Sequence, residues 1–568
     1  MGQEVPPSAD LGPPGASPED TGPLPSVSGE EEGRALVRST AVMSVGTALS
    51  RISGFARVAA MAFAVGVAET RLADSYNVAN NLPNIIYELV LGGILTSIFV
   101  PVFVEQLQRR GREEAWESAR AVMTVAVVVL GLIMVVGVVA APWIVKLYTL
   151  RVDEPQRAAV QPLATFFLRF FIPQIVLYGL GAVASGLLNA HRRFAVPMFA
   201  PILNNLVVIA SFLLFAFLPV PTPSDLPSPT NISLAQKLVL AVGTTAGVAA
   251  MTFALWPSVR RLGFRWRWNL HWRNEAVRKL VRLSGWAIAY VVVNQLGLLV
   301  VIVLAGAEQG GYSAYLAAFI FFQLPYAIFS VSIMTALLPA MSEQWVRREI
   351  GQFRRTLARG IRASAFVVVP AAAGYIVLAR PIVRLLLERG VAGGQSITLV
   401  ADVLTVFSLG LFPFSAFLLS LRAFYAMQDT RTPALINVLA VGINTVANLA
   451  LFPILRVQGL ALGHALAYTF AAVTAGVILR RRLGGLEGRD LVRGLAKVMA
   501  GAVATGAAAW GAARLMAEAV SVDTFGGQVA EVGVGVLAGL IVFIGAALAL
   551  RMEEFDLIRR TLSARLRR

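Results

Sequence analysis

The feature that most restricts this chain is a succession of long apolar runs. Each is ~20 residues or more, the length a helix needs to cross the hydrocarbon core of a bilayer. About fourteen such segments are marked off by polar or Pro/Gly-rich breaks. They fall near 39–66, 73–104, 119–148, 162–190, 196–219, 234–256, 279–306, 311–341, 361–387, 398–427, 433–454, 458–480, 493–518 and 529–551. Residue usage agrees, with 57% hydrophobic and 14% charged residues, where ordinary soluble domains carry roughly 25% charged. The expected fold is an all-α polytopic membrane protein of about fourteen transmembrane helices.

The loops give a second, independent reading. Those after even-numbered segments are basic, as in RRGREEAWESAR, SVRRLGFRWRWNLHWRNEAVRKLVR, WVRREIGQFRRTLARGIR and RRRLGGLEGRDLVRG, whereas those after odd-numbered segments, such as AGAEQGG and PVPTPSDLPSPTNIS, are poor in Arg and Lys. This asymmetry puts the basic loops and both termini on the cytoplasmic side. It also accounts for the net charge of +17 without nucleic acid as a partner. The aromatic-basic run GFRWRWNLHWR (263–273) reads as an interfacial segment facing lipid headgroups. The weakest fit is LARPIVRLLLERGVAGG (378–394), whose three arginines fall on the outer side and suggest an amphipathic interfacial helix. The first 38 residues are rich in Pro, Gly, Ser and acids and read as a disordered cytoplasmic tail.

The chain also repeats itself. NNLPNIIYELVLGGILTSIFVPVFVEQ (80–106) resembles FQLPYAIFSVSIMTALLPAMSEQ (322–344), and RRFAVPMFAPILNNLVVIASFLLF (192–215) resembles DTRTPALINVLAVGINTVANLALF (429–452). Pro83 is answered by Pro325 and Pro197 by Pro433, at offsets of 242 and 236. Each offset spans an even number of helices, so the halves share one orientation, a parallel pseudo-repeat. The expected organisation is a tail over 1–38, a six-helix lobe over 39–256, and a basic cytoplasmic linker over 257–278. A second six-helix lobe over 279–480, two extra transmembrane helices over 481–551 and a basic tail over 552–568 follow.

Polar residues inside the apolar runs mark the candidate site. Arg51 and Arg57 lie in the first run, where a charge at the bilayer centre costs ~3 kcal/mol on insertion scales. Such a charge faces a water-filled path or a partner, unless it snorkels from a helix end. Six residues turn an ideal helix by ~240° and advance it ~9 Å, so the pair shares a face only if the helix bends, for which Gly54 is placed. In the second run Asn77, Asn81, Asn84 and Glu88, with Asp74 just before them, recur at helical spacing. That stripe either lines a cavity or bonds helix to helix. Arg169, Asn204, Asn205, Asn294, Gln295, Gln323, Arg422, Asn437, Asn444 and Asn448 read as packing or helix-end residues. The chain has no cysteine and its three histidines are scattered, so neither thiolate chemistry nor a His-based metal site is expected. It lacks a GxxxxGK[ST] loop, an HExxH pair and a nucleophile elbow, which leaves no catalytic constellation. Transport driven by the membrane potential or an ion gradient, without a cofactor, fits better than an enzyme.

In order along the chain, SRISGFAR, ADSYNVANNLPN, FVPVFVEQ, NAHRRFAVPMFAPILNN, the LP…LLPAMS stretch and DTRTP resemble the MurJ (MviN) family of lipid II flippases, in the multidrug/oligosaccharidyl-lipid/polysaccharide exporter superfamily. The resemblance implies fourteen helices, six plus six and two more. It implies transfer of undecaprenyl-pyrophosphate-linked disaccharide-pentapeptide across the plasma membrane for peptidoglycan synthesis, with membrane lipids and cell-wall synthesis proteins as further partners. It matches Arg51, Arg57 and Asp74 to the family's polar positions in the first two helices. Planar guanidinium donors suit a pyrophosphate in a low-dielectric cavity. Three departures stand out: Tyr87 and Ile320 occupy positions where many members carry arginine, and Val58 replaces an acid. A drug or cation exporter of the same superfamily, or a non-transporting scaffold for cell-wall enzymes, are the alternatives.

Overall fold

The computed structural model describes residues 46, 49–88, 99–109, 111–191, 193–219, 226–272 and 274–555. The tail expected over 1–38 lies outside the described residues, as do 556–568. Among the described residues every regular element is helical. The first lobe is built from α1 (49–65), α2 (Leu72–Glu88), α3 (Val100–Arg109), α4 (Arg112–Tyr148), α5 (Gln156–Phe171), α6 (Gln174–Ala190), α7 (Ala195–Phe217) and α8 (Leu234–Arg261). The second contains α9 (Glu275–Ala305), α10 (Gly311–Pro325), α11 (Val331–Val346), α12 (Ile350–Leu387), α13 (Gly394–Leu409), α14 (Leu411–Ala426) and α15 (Arg431–Leu483). The last two helices, α16 (Gly488–Ala519) and α17 (Phe525–Ala549), pack on each other and on α12.

These helices account for the fourteen expected segments once the broken ones are recognised. The fourth segment divides into α5 and α6 at Ile172 and Pro173, where a ring without an N–H interrupts the ladder. Its counterpart six segments later divides into α13 and α14 at Gly410, with a 49° bend. The eighth segment passes from α10 to α11 through one π turn, Tyr326–Ser330, directly after Pro325. Residue Arg456, at φ 51° and ψ −134°, cuts α15 into the eleventh and twelfth spans. The first and second interruptions fall at equivalent steps of the repeat, which is the architecture expected of two parallel lobes.

Loop contacts fix the two ends of the bundle. At the arginine-poor end, Thr70 bonds Pro227, Arg71 bonds Gln156 and Gly306, and Glu69 bonds Gly393, so loops after odd-numbered spans meet there. At the arginine-rich end, Arg112 bonds the Leu262 carbonyl, Arg354 bonds Gly484, and Arg482 pairs with Asp429. Asp429 accepts the N–H groups of Arg431 and Thr432, capping the start of α15.

One expectation is overturned. Residues 378–387 form no separate interfacial helix, because α12 runs unbroken through Pro381 to Leu387. Its last arginines are satisfied locally: Arg380 by Thr398, Arg384 by Glu388 at 3.0 Å, and Arg389 by the Phe525 ring at 4.2 Å. Thr398 comes from α13 and Phe525 opens α17, while Glu388 directly follows α12, so the amphipathic stretch has protein to cover it. The run 263–273 is not helical where described. Trp266 lies against Trp256 and Trp268, while Trp268, Leu270 and Trp272 are exposed.

Candidate functional site

The lobes meet along α1, α2 and α4 on one side and α9 and α10 on the other. A single hydrophobic core crosses this boundary, joining Val58, Ala62, Val67, Ala68, Val78 and Tyr148 to Tyr312, Phe321, Phe322 and Val400. On α1 the residues at 51, 55, 58 and 62 recur at helical spacing and form the face turned to the second lobe. The neighbouring face, with Met61 and Ala64, belongs to the first lobe's own core.

At the arginine-poor end the lobes are clamped by polar contacts. Asp74 is buried and accepts hydrogen bonds from Gly310 N at 2.8 Å, Ser313 N at 3.1 Å and Ser313 Oγ at 2.8 Å. The first turn of α10 offers free N–H groups, and a carboxylate is the natural acceptor for them. Arg71, one turn before Asp74 and 4.0 Å from it, donates to the Gly306 carbonyl at 2.8 Å. Gln309 donates to the Ala68 and Glu69 carbonyls, each at 3.0 Å. Two glycines allow this approach. Gly310 has φ +72°, and a Cβ there would sit 2.3 Å from Ala68 Cα; Gly390 has φ +67°, and its Cβ would sit 2.2 Å from the Phe63 carbonyl.

Glu69 completes the clamp from the α1–α2 loop. Its carboxylate accepts from Gly393 N at 2.6 Å, Ser396 N at 3.2 Å and the Ser396 hydroxyl. Burial pushes this carboxyl up, but the bonds from Ser396 and Gly393 outweigh it and hold the group below the usual glutamate range.

Further along α2 the polar stripe meets α10 as well. Asn77 donates to Ser313 Oγ at 3.0 Å, and Asn81 accepts from Tyr312 OH at 3.3 Å. Asn84 instead accepts from Tyr178 of α6, within its own lobe. The side chains of Glu88 and Tyr87 lie outside the described residues. The stripe therefore bonds helix to helix at these three asparagines.

Beyond the clamp, Phe55 and Phe321 close edge to face at 5.0 Å, and Arg51 is exposed with Nη1 3.3 Å from Gln323 Oε1. Ile52 beside it is 62% exposed. Gln323 stands one turn before the π turn, and α14, which carries Arg422, packs against that turn. Arg422 is exposed there. Two lobes thus contribute one arginine each to the same part of the cleft.

Arg57 is not part of that pairing. It is half-buried on the α1 face turned to its own lobe, near Tyr76, without a hydrogen bond or ion pair among the described residues. Helical hydrogen bonding continues through Gly54, and beside it the Asn205 amide donates to Ser53 Oγ at 2.9 Å. Ile320 packs against the shared core. Glu69 and Arg71 escaped the sequence reading because they stand in a short loop, outside any apolar run. Arg422 was visible as an intramembrane charge, but nothing in the sequence ties it to Arg51.

Two lobes of six spans, closed at one end around α1, α2 and α10 and cationic in the cleft beyond, define an all-helical transporter of the alternating-lobe kind. The fold is shared with solved structures: one titled "Lipid II flippase MurJ, inward closed conformation" matches 91% of this chain and 99% of its own, with a TM-score of 0.71 at 19% identity. An inward-facing multidrug resistance MATE family transporter covers 77% of this chain and 96% of its own, with a TM-score of 0.60 at 12% identity. The sequence model of the family described as "Lipid II flippase MurJ" matches residues 61–529. The chain belongs to the MurJ family. Among curated relatives, a probable lipid II flippase MurJ of Rhizobium meliloti (strain 1021) is 29% identical over 426 residues, covering 75% of this chain and 77% of that protein. A lipid II flippase MurJ of Burkholderia cenocepacia is 28% identical over 429 residues, covering 75% and 80%.

Proposed function

We propose that this chain moves the lipid-linked peptidoglycan precursor, undecaprenyl-pyrophosphate-linked disaccharide-pentapeptide, from the inner to the outer leaflet by alternating access. The observation that carries the reading is the combination of a clamped arginine-poor end with an arginine from each lobe, Arg51 and Arg422, set around the π turn in the cleft. A pyrophosphate dianion is a strong partner for two guanidiniums in a site of low dielectric. In this reading the arginine-rich end and both termini face the cytoplasm of a bacterial plasma membrane. The headgroup enters the cleft at Arg51 and Arg422, with Arg57 one helix face away. Asp74, Asn77 and Asn81 hold the outer end shut and become path-lining when the lobes tilt, and Asn84 and Glu88 continue that lining. No cofactor is assigned. The membrane potential, which acts on net charge moved at ~2.3 kcal/mol per charge per 100 mV, or an ion gradient is the proposed drive. Membrane lipids and cell-wall synthesis proteins are the remaining partners.

The test is leaflet-resolved transfer of labelled lipid II in proteoliposomes, together with rescue of a flippase-depleted strain. Wild-type protein transfers and rescues, while Arg51→Ala at normal membrane level does neither. Absence of transfer by the wild type points to a scaffold, and full rescue by Arg51→Ala sinks the site assignment.

A further inference from the structure

Two cations stand on the outside of the first lobe, away from the interlobe cleft. Lys146 of α4 and Arg169 of α5 line a groove of about 600 Å³ between these helices, floored by Pro142 and Phe170. That volume lies within the ordinary range for small-ligand sites, ~300–1,000 Å³. Both side chains are exposed, and neither has a hydrogen bond or ion pair among the described residues. Trp143, Val139 and Leu147 on the same stretch of α4 are 63%, 62% and 44% exposed, which makes this a lipid-facing surface.

Geometry turns the two cations toward each other. Gln161 donates to Thr149 Oγ1 at 2.9 Å, which sets the register of the antiparallel α4–α5 hairpin. Lys146 is three residues before Thr149 and Arg169 eight after Gln161, so they stand ~7 Å apart along the hairpin. Helical side chains lean toward their own N-terminus. Arg169 therefore leans toward the arginine-poor end, and Lys146, at the outer edge of its apolar run, leans inward instead of out to water. Unpaired intramembrane cations almost always face a partner or a water-filled cavity. Here they converge in a groove that opens sideways to lipid, and the groove supplies donors and no carboxylate.

We propose that this groove is a binding site for one anionic glycerophospholipid of the outer leaflet. Its phosphodiester bridges Lys146 and Arg169, accepts from the Thr165 hydroxyl, and leaves its acyl chains along Phe170 and Trp143. A lipid anion reaches the site laterally and neutralises both charges at once, which a zwitterionic lipid does less completely.

The experiment uses the full chain in nanodiscs with equal amounts of palmitoyl-oleoyl phosphatidylglycerol and phosphatidylcholine, released into the gas phase for native mass spectrometry. Wild-type protein retains one phosphatidylglycerol, at least tenfold in preference to phosphatidylcholine. The double variant Lys146→Gln/Arg169→Gln loses that preference, whereas Arg151→Gln, an exposed change at the same end, keeps it. Equal retention by wild type and double variant overturns the site. As a check that does not require the variant to fold, a headgroup-photoreactive phosphatidylglycerol labels wild-type peptides within 142–170, and labelling confined to other helices also overturns it. Displacement of phosphatidylglycerol by undecaprenyl phosphate at a tenfold lower mole fraction overturns the glycerophospholipid assignment.

Discussion

Asp74 and Ser313 bond twice across the lobe boundary, Ser313 giving both its backbone N–H and its hydroxyl to the same carboxylate oxygen. Ser313 Oγ in turn accepts from Asn77. One carboxylate therefore organises the contact between α2 and α10. Hydrogen bonds to a charged acceptor contribute ~1.5–3 kcal/mol each, and 1.4 kcal/mol is tenfold in an equilibrium. Asp74→Ala is expected to shift the lobes toward separation at this end by on the order of a hundredfold. The chain has no cysteine, so a single Ala392→Cys, buried in the clamp, reports the change. An impermeant maleimide should label it several-fold faster with Asp74→Ala, and an unchanged rate rejects Asp74 as a clamp residue.

Glu69 predicts how the clamp responds to acid. Its carboxyl is held below the usual range in the clamped state, and it returns toward the ordinary value of ~4.3 when the bonds to Gly393 and Ser396 are released. A depressed carboxylate contributes stability that is fully present above the released pKa and is lost as pH falls through the clamped one. Divided at each pH by the rate of a free thiol, which removes the thiolate dependence, labelling of Ala392→Cys should be flat between pH 6 and 8 and should rise only when the pH at that end drops below about 4. Glu69→Gln should label faster at neutral pH and lose the acid-induced rise. A rise centred near pH 6 would assign the response to another group.

The arginines should rank by the surface they face. Arg51 meets Gln323 just before the π turn, and Arg422 stands on α14, which packs against that turn, so alanine at either is expected to cut lipid II transfer tenfold or more. Arg57, turned to its own lobe, should give a smaller loss. Arg51→Lys keeps the charge but not the planar fork that meets a pyrophosphate with paired donors, and should recover only part of the rate. Transfer rates in proteoliposomes check the order, and equal losses at 51 and 57 contradict the separation of their faces.

The fold was legible because each span had to be long and apolar, and because loop charge alternated. The repeat told which spans correspond, and Pro325 foreshadowed the break that became the π turn. Helical spacing also predicted that Arg51 and Arg57 diverge by face. What the sequence could not carry was pairing across the lobes. Asp74 reads as a cavity acid until Gly310 and Ser313, more than 230 residues away, are placed against it. Arg51 and Arg422 come together only when α1 and α14 are packed around the same π turn. The interfacial helix expected within 378–394 failed partly for a related reason: Arg384 meets Glu388 one turn on, but Arg380 and Arg389 meet Thr398 of α13 and Phe525 of α17, partners that a local reading does not see.

Gly310 and Gly390 separate shape from charge in the same clamp. A Cβ at Gly310 meets the Ala68 backbone, and one at Gly390 meets the Phe63 carbonyl, with φ positive at both. Neither contact ends on a flexible side chain, so the lobes must move apart to admit the methyl group. The left-handed backbone adds ~1 kcal/mol for any residue other than glycine. Gly310→Ala is therefore expected to raise labelling of Ala392→Cys at least as much as Asp74→Ala, with every polar group of the clamp still present. Combined with Asp74→Ala it should add little, because both changes act on one closed contact and their effects are coupled. Full additivity of the two would show that Asp74 and Gly310 hold separate elements, and the clamp would no longer be a single unit.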